Sequence, residues 1–482
     1  MSLGWACRAV CPTEINARAW PRCGRQRSEQ VMIQQALSGK RAWVAGLVIS
    51  AAVLSACTER QTFLPGPRED VGSVVQDPAL AASFVRSPDV PNRSEPISLG
   101  ATTANTSWSH AAGTPSYRVA HPALSAAPQL VWSARIGDGD SRKFRITADP
   151  VVADGRVFTL DAGAQVAATS TSGQPLWTAD LTPASDREGQ ASGGGLAVEG
   201  GTLYVSVGYG ILAALDVASG AVRWTQDLDA SGSGTPTVFG DLVYVTAGDD
   251  TGWAVEKDSG RVVWRTGGST SANNVLGAPA PALNGQLAIF AYGSGEIQAV
   301  FRRGGLPRWT SSVVGKRPGR ALSAIVDVTS PPVISGDRLY VSNQSGSLSA
   351  LSLNNGERIW SAPDGAISAV WPAGGSVFAI SDLNEVLRLS ASDGSRIWGV
   401  PLPNFVKQKP RRQSEVVPHH GPVVAGGRVI VASGDGVLRS YDPTDGTLTA
   451  TAEIPGGATT APVVANGTLY VVSTKGELHA FR

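Results

Sequence analysis

From about residue 130 onward the chain is a succession of apolar runs of four to six residues, separated by Gly, Asp, Ser and Asn. The runs are rich in β-branched and aromatic residues, and none sustains a helical period, so they predict short strands joined by tight turns. They recur in sets. A set opens on a strand often marked by proline, as in Pro150-Val151-Val152, Pro332-Val333-Ile334, Pro422-Val423-Val424 and Pro462-Val463-Val464. A turn glycine introduces the second strand, as in Gly201-Thr202-Leu203-Tyr204-Val205. The third strand mixes small and large apolar residues, as in Ile211-Leu212-Ala213-Ala214-Leu215, and an Asp/Ser/Gly turn leads to a strand carrying tryptophan.

Trp177, Trp224, Trp264, Trp309, Trp360 and Trp398 each follow a glycine by four positions, and successive members are 38 to 51 residues apart. That is the length of a four-stranded propeller blade. A seventh glycine, Gly446, has Ala450 where the tryptophan would stand, and a further unit from Ala461 to Phe481 supplies only three strands. The fourth has a donor in Leu130-Val131-Trp132, a tryptophan strand that precedes the first complete unit. The expected fold is therefore all-β: an eight-bladed β-propeller of four-stranded blades over 129–482, closed by pairing of N- and C-terminal strands so that no ring end stays open. A seven-bladed ring would follow only if one unit were irregular. Trp132 and the six other tryptophans are expected to be structural docking residues, each covering a neighbouring blade with a flat ring whose N–H needs a partner.

The N-terminal part reads differently. After Met32, Lys40 and Arg41 precede an apolar stretch from Ala42 to Val53 that ends in Leu54-Ser55-Ala56-Cys57, the three-part form of a secretory signal. Small residues before a single cysteine resemble the lipobox of bacterial lipoproteins, which implies lipidation of Cys57 after removal of 32–56. Thr58, rather than aspartate, follows the cysteine, which implies export to the outer membrane, facing the periplasm. Residues 1–31 are arginine-rich with no hydrophobic period and are expected to be a mis-assigned start or a disordered extension. Residues 57–128, rich in Ala, Ser, Thr and Pro, are expected to form a flexible tether.

Composition adds exclusions. A net charge of +1 and 16% charged residues suggest no nucleic-acid partner. The densest basic run, Lys407-Gln408-Lys409-Pro410-Arg411-Arg412, lies in a long connection from Pro401 to Val417 and is expected to be a solvated loop, with lipid headgroups or a partner as the alternative. His419-His420 would point to opposite faces of a strand and make a poor metal chelate. No nucleophile elbow, P-loop or His-Glu-x-x-His is present. No cofactor, metal or catalytic residue is expected.

The segment Ala214-Leu215-Asp216-Val217-Ala218-Ser219-Gly220-Ala221-Val222-Arg223-Trp224 resembles the tryptophan-docking repeat of pyrroloquinoline-quinone-like propellers. That superfamily includes quinoprotein dehydrogenases, which use a pair of adjacent cysteines and a calcium ion; Cys57 is the only cysteine of the expected mature chain. Over about Gln129 to Arg482, and in its lipobox, the chain resembles the BamB family of the β-barrel assembly machinery. The resemblance implies a non-enzymatic outer-membrane lipoprotein that binds BamA and helps present unfolded outer-membrane protein precursors. It also implies a partner-binding patch at Asp327 and Thr329, ahead of Pro331-Pro332, and at Asn273 and Asn274, ahead of Ala278-Pro279. Capping of a turn is the other reading of Asp327. The competing functions are a quinoprotein dehydrogenase and another protein-binding propeller of the cell envelope.

Overall fold

The computed structural model describes residues 91–482 except 117, 188, 233, 270–277 and 314–326. Cys57, the signal segment, residues 1–31 and the Asn273-Asn274 pair lie outside the described residues. Thirty-two strands, β1 (Leu130–Arg135) to β32 (Glu477–Phe481), form eight four-stranded antiparallel sheets. Seven are continuous in sequence: blade 1 (151–180), blade 2 (194–227), blade 3 (237–267), blade 4 (282–312), blade 5 (333–362), blade 6 (371–401) and blade 7 (419–453). Blade 8 is built from residues 463–481 with β1 as its fourth strand, in the order β1-β32-β31-β30, where β30 is Val463–Ala465 and β31 is Thr468–Val472. The expected eight-bladed closure is what the chain adopts.

Strand position explains the sequence pattern. The inner three strands of a blade are sandwiched between neighbouring blades, so both faces are dry and the run is continuously apolar. In blade 2, β7 (Thr202–Val207) is buried at every position and β8 (Ile211–Asp216) at all but its ends. The outermost strand, β9 (Val222–Asp227), is largely open to solvent, with Trp224 turned inward.

The glycine and the tryptophan of one blade serve two different interfaces. Trp177 of blade 1 lies on Gly220 of blade 2, Trp224 on Gly260, Trp264 on Gly305, Trp309 on Gly356, Trp360 on Gly394 and Trp398 on Gly446; Trp132 lies on Gly173. At each of these glycines an added Cβ would come within 2.5–2.9 Å of a tryptophan ring atom, and φ lies between +69° and +89°. The position thus needs glycine twice over, for backbone freedom and for close approach. Each indole N–H reaches a carbonyl of the next blade: Trp177 Nε1 donates to Val217 O, Trp224 to Lys257 O, Trp264 to Arg302 O, Trp309 to Leu353 O and Trp360 to Ala391 O at 3.0 Å, and Trp398 to Pro443 O at 2.9 Å. All seven rings thus cover the glycine of a neighbouring blade, and six of the indoles also bond across that interface.

Residues 91–128 depart from expectation. Instead of a free tether they form a strap bound to the ring. The Asn92 side chain brackets Gly399, accepting from its N–H at 2.9 Å and donating to its carbonyl at 3.0 Å, and Arg93 N–H donates to Ile397 O at 2.9 Å. The strap runs down this outer edge of blade 6, where Glu95 N–H meets Thr444 O, and then turns beneath the ring toward its axis. Asn105 Nδ2 donates to Val464 O of blade 8, Trp108 exchanges both backbone hydrogen bonds with Val152 of blade 1, Ser109 O accepts from Val198 N–H of blade 2, and His110 Nε2 accepts from Val238 N–H of blade 3. Arg118 then bonds Ala369 O and Val370 O ahead of blade 6, and His121 and Pro122 accept from Gly427 and Gly426 of blade 7. The physical reason is the inner rim: the first strand of every blade has an unpaired edge facing the channel, and a chain that supplies donors and acceptors there removes an unsatisfied edge.

One buried side chain fixes the strap's outer part. Arg388, 2% exposed on β24 (Glu385–Ser390), donates to Glu95 O at 2.7 Å, to Pro96 O at 3.5 Å, and to Pro443 O and Thr444 O of blade 7. In six other blades the residue paired with the tryptophan is alanine: Ala168, Ala214, Ala254, Ala299, Ala350 and Ala480. Arg388 stands in that place opposite Trp398.

Candidate functional site: the channel and its rim

Two faces of the ring are distinct. On one, the crossover face, the outer strand of each blade hands the chain to the inner strand of the next. The other carries the turns between first and second and between third and fourth strands. The described residues that lead into blade 4 (278–281) and blade 5 (327–332) both enter from the crossover face, because they precede the first strands of those blades. They converge on the channel: Ala278, Pro279, Thr329 and Pro331 line one cavity of about 220 Å³. Ala278 and Pro279 therefore line the same stretch of the channel wall as Thr329 and Pro331.

Asp327 is 5% exposed and has partners within the chain, so its carboxylate is not presented at a surface. The partner-contact reading of Asp327 would need an open carboxylate, which 5% exposure does not supply. A run of small and apolar neighbours, Val328, Ser330 and Pro332, packs into the entry of blade 5 and takes Asp327 inward with it. Thr329 is half-buried and lines the cavity, and its Oγ1 has no hydrogen-bond partner among the described residues.

The strap contributes the other wall. Trp108 and Arg118 line the cavity together with Asp149, Thr329 and His420. The Arg118 guanidinium sits 5.0 Å from the centre of the Trp371 ring, and Trp371 packs against Trp108 with centroids 6.0 Å apart. Burial pulls the Arg118 guanidinium down to about 10, with Asp149 opposing. Burial pushes Asp149 up to about 6, against the Ala461 N–H that it accepts at 2.7 Å and against the charge of Arg118. Within the channel wall Arg118 and Asp149 compensate each other.

The histidines are structural. His110, 2% exposed, is lowered to about 3 by burial. Its Nε2 accepts from Val238 N–H, so Nδ1 carries the proton and donates to Ser109 Oγ at 2.8 Å. His419 and His420 separate as a strand requires. His419 bonds Ser433 Oγ and Pro403 O at 2.8 Å, while His420 lines the cavity and is lowered to about 4 by burial.

These residues do not fit a quinone held with calcium. Among the described residues no group of three His, Cys, Asp or Glu side chains converges, no cysteine occurs beyond Cys57, and Trp108 and Arg118 of the strap project into the channel. The residues that sequence reasoning missed, Trp108, His110, Arg118 and Arg388, are strap and strap-binding residues.

The family model described as outer membrane protein assembly factor BamB matches residues 162–400 and 407–482. A curated relative of that name from Shewanella oneidensis is 24% identical over 362 residues, covering 73% of this chain and 88% of the relative. Among solved structures, that of BamB from Moraxella catarrhalis superposes with a TM-score of 0.61 at 20% identity, covering 74% of this chain and all of that one. The quinohemoprotein alcohol dehydrogenase from Comamonas testosteroni superposes with a TM-score of 0.58 at 15% identity, covering 79% of this chain and 81% of that one. At such identities the superpositions speak for the ring alone.

Proposed function

Because this chain belongs to the family of outer membrane protein assembly factor BamB, we propose that it is a non-enzymatic scaffold of outer-membrane protein assembly, tethered through a lipidated Cys57 to the periplasmic face of the outer membrane. The match of the family model across blades 2 to 5 and 7, all but the last residue of blade 6, three strands of blade 8 and two of blade 1 is the observation that carries this reading. The donor set of the channel gives no support to the quinoprotein alternative.

The partner in this reading is BamA. We place its contact on the crossover face between blades 4 and 5, where the segments holding Asn273-Asn274 and Asp327-Thr329 return to the channel. Asp327, 5% exposed, is not itself the contact surface in this reading. A partner domain presenting a sheet edge would dock by backbone pairing. Unfolded barrel precursors are the expected clients, drawn to the half-open outer strands, where Leu176, Val222, Val263, Leu306 and Leu448 are exposed. The test is capture of the lipidated protein from solubilised outer membranes followed by mass spectrometry. Recovery of BamA supports the reading, and its absence removes it.

A further inference from the structure

The connection between blades 6 and 7 is a built finger. Phe405 pairs with Val416 in a β-bridge, Val406 N–H donates to Glu415 O at 3.0 Å, and Val417 N–H donates to Asn404 O at 3.0 Å, so residues 402–417 leave the ring and return as two paired arms. The base is clamped: Asn384 Nδ2 donates to Asn404 Oδ1 at 3.1 Å, and His419 Nε2 donates to Pro403 O. At the tip a 3-10 turn, Pro410–Arg412, buries no residue. Lys407, Lys409, Arg411 and Arg412 are all exposed there, and none has an ion-pair partner among the described residues; Glu415 is the one acid of the finger. Beside the charges Val406 and Val416 are each 51% exposed. Four unpaired cations around two open valines are the composition of a surface that seats on phosphate with an apolar layer beneath it.

Position identifies which phosphate surface. The strap enters the ring at the same corner: Asn92 brackets Gly399, two residues before the end of β25 (Arg396–Pro401), and the finger begins at the following residue, Leu402. Successive strap residues run away from that end, Arg93 meeting Ile397 and Glu95 meeting Thr444. The segment from Cys57 therefore joins the folded chain beside the base of the finger. The other basic cluster on this face, Arg142, Lys143 and Arg145, is offset by Asp138 and by Asp140, which pairs with Arg145 at 3.3 Å. The finger lacks such compensation.

We propose that the finger of residues 402–417 is a second membrane contact, in which Lys407, Lys409, Arg411 and Arg412 engage the phosphates of anionic phospholipid and Val406 and Val416 enter the headgroup layer. With the lipid tether joining at one corner of the ring and the finger projecting from that corner, the two contacts fix which sector of the propeller meets the bilayer. This orientation rests on the reading that Cys57 is the anchor; the finger's affinity for anionic lipid does not.

The test uses the non-acylated protein from Thr58 onward, which keeps every described residue, in flotation with vesicles of phosphatidylcholine with or without phosphatidylglycerol. The protein is expected to float with the anionic vesicles, to be released as salt rises, and to stay behind with neutral ones. Replacing all four cations by Gln should weaken the partition roughly a thousandfold, at about 1 kcal/mol per charge, while Arg142, Lys143 and Arg145→Gln should leave it unchanged, with equal melting temperatures for both variants. Absence of flotation, or equal flotation of the finger variant, overturns the proposal and hands the finger to a protein partner. Since no acyl chain is present, such a failure leaves the Cys57 reading untouched, and a mature protein without lipid would leave the flotation result standing.

Discussion

Gln129 and Arg482 exchange both backbone hydrogen bonds, at 2.8 and 2.9 Å, and so hold the fourth strand of blade 8 to its third where every other blade has a hairpin. The missing tryptophan follows from this. Each tryptophan docks on the glycine of the next blade's third-to-fourth-strand turn, and blade 8 has no such turn because its two strands come from opposite ends of the sequence. Blade 7 therefore has nothing for an indole to cover, and Ala450 stands there.

Removal of residues 130–136 should destabilise the ring by more than the ~3–5 kcal/mol of one buried tryptophan truncation, since it takes away Trp132, its 5.9 Å contact with Tyr470 and the whole edge of β32. A deletion of equal length within 58–90 should leave the melting temperature in place. Equal effects would contradict closure by these strands.

Gly220 and Gly155 separate two costs. Both have φ near +70°, but a Cβ at Gly220 would lie 2.5 Å from the Trp177 ring, whereas nothing lies within 4 Å at Gly155. Gly155→Ala should lose only the ~1–2 kcal/mol of backbone strain. Gly220→Ala should lose a further ~1–3 kcal/mol from overpacking, measured by chemical denaturation of the two variants.

Arg388→Met should loosen the strap before it unfolds the ring. Glu95 O and Pro96 O would lose their donor, and limited proteolysis should open cleavage within 91–100. Buried carbonyls left without a partner should lower stability by ~2–4 kcal/mol. A strap as protected as in the parent protein would show that Arg388 does not hold it.

Asp327→Arg places a guanidinium where the native side chain is 5% exposed, and is expected to lower stability by ~3 kcal/mol or more by thermal unfolding. A stable, folded variant would return Asp327 to the surface and to direct docking.

Acid should weaken the protein through its buried histidines. His110, at about 3 in the fold against 6.5 when free, binds its proton in the unfolded chain first. Its contribution is complete above pH 6.5 and is lost as pH falls toward 3, and His420 acts in the same sense down to about 4. Asp149, raised to about 6, acts oppositely, its contribution fading as pH rises from 3.8 through 6. His419 and His479 are lowered by burial in the same sense as His110, and Asp161 is raised in the sense of Asp149; with four histidines against two carboxyls, net stability should fall as pH drops below 6.5. His110→Gln, which keeps an acceptor for Val238 N–H, should flatten that fall by ~2 kcal/mol or more.

The ring was legible because its rule is local: glycine, three residues, tryptophan, repeated at one blade length. Even the seam could be read, from three strands at one end and a lone tryptophan strand at the other. The strap was not legible, because its partners are the inner edges of blades far away in sequence, and a segment of Ala, Ser, Thr and Pro carries no period when what it matches is a ring. One signal was present all the same, the arginine at 388 in a column of alanines. The rim was half legible: chain order put Asp327 and Thr329 at the entry of blade 5, but burial depends on what packs over a position, and sequence order does not carry that.

Ser133 and His479, 346 positions apart in sequence, bond across the seam at 2.7 Å. In the proposed reading the chain crosses the inner membrane N-terminus first, so the strap and β1 would reach the periplasm before any blade they join. The plug is thus delivered ahead of the channel it fills, and β1 waits as an unpaired tryptophan-bearing strand until seven blades have followed. For that interval the exported intermediate would have the open edge of a barrel precursor, the same liability as the clients proposed for the finished ring.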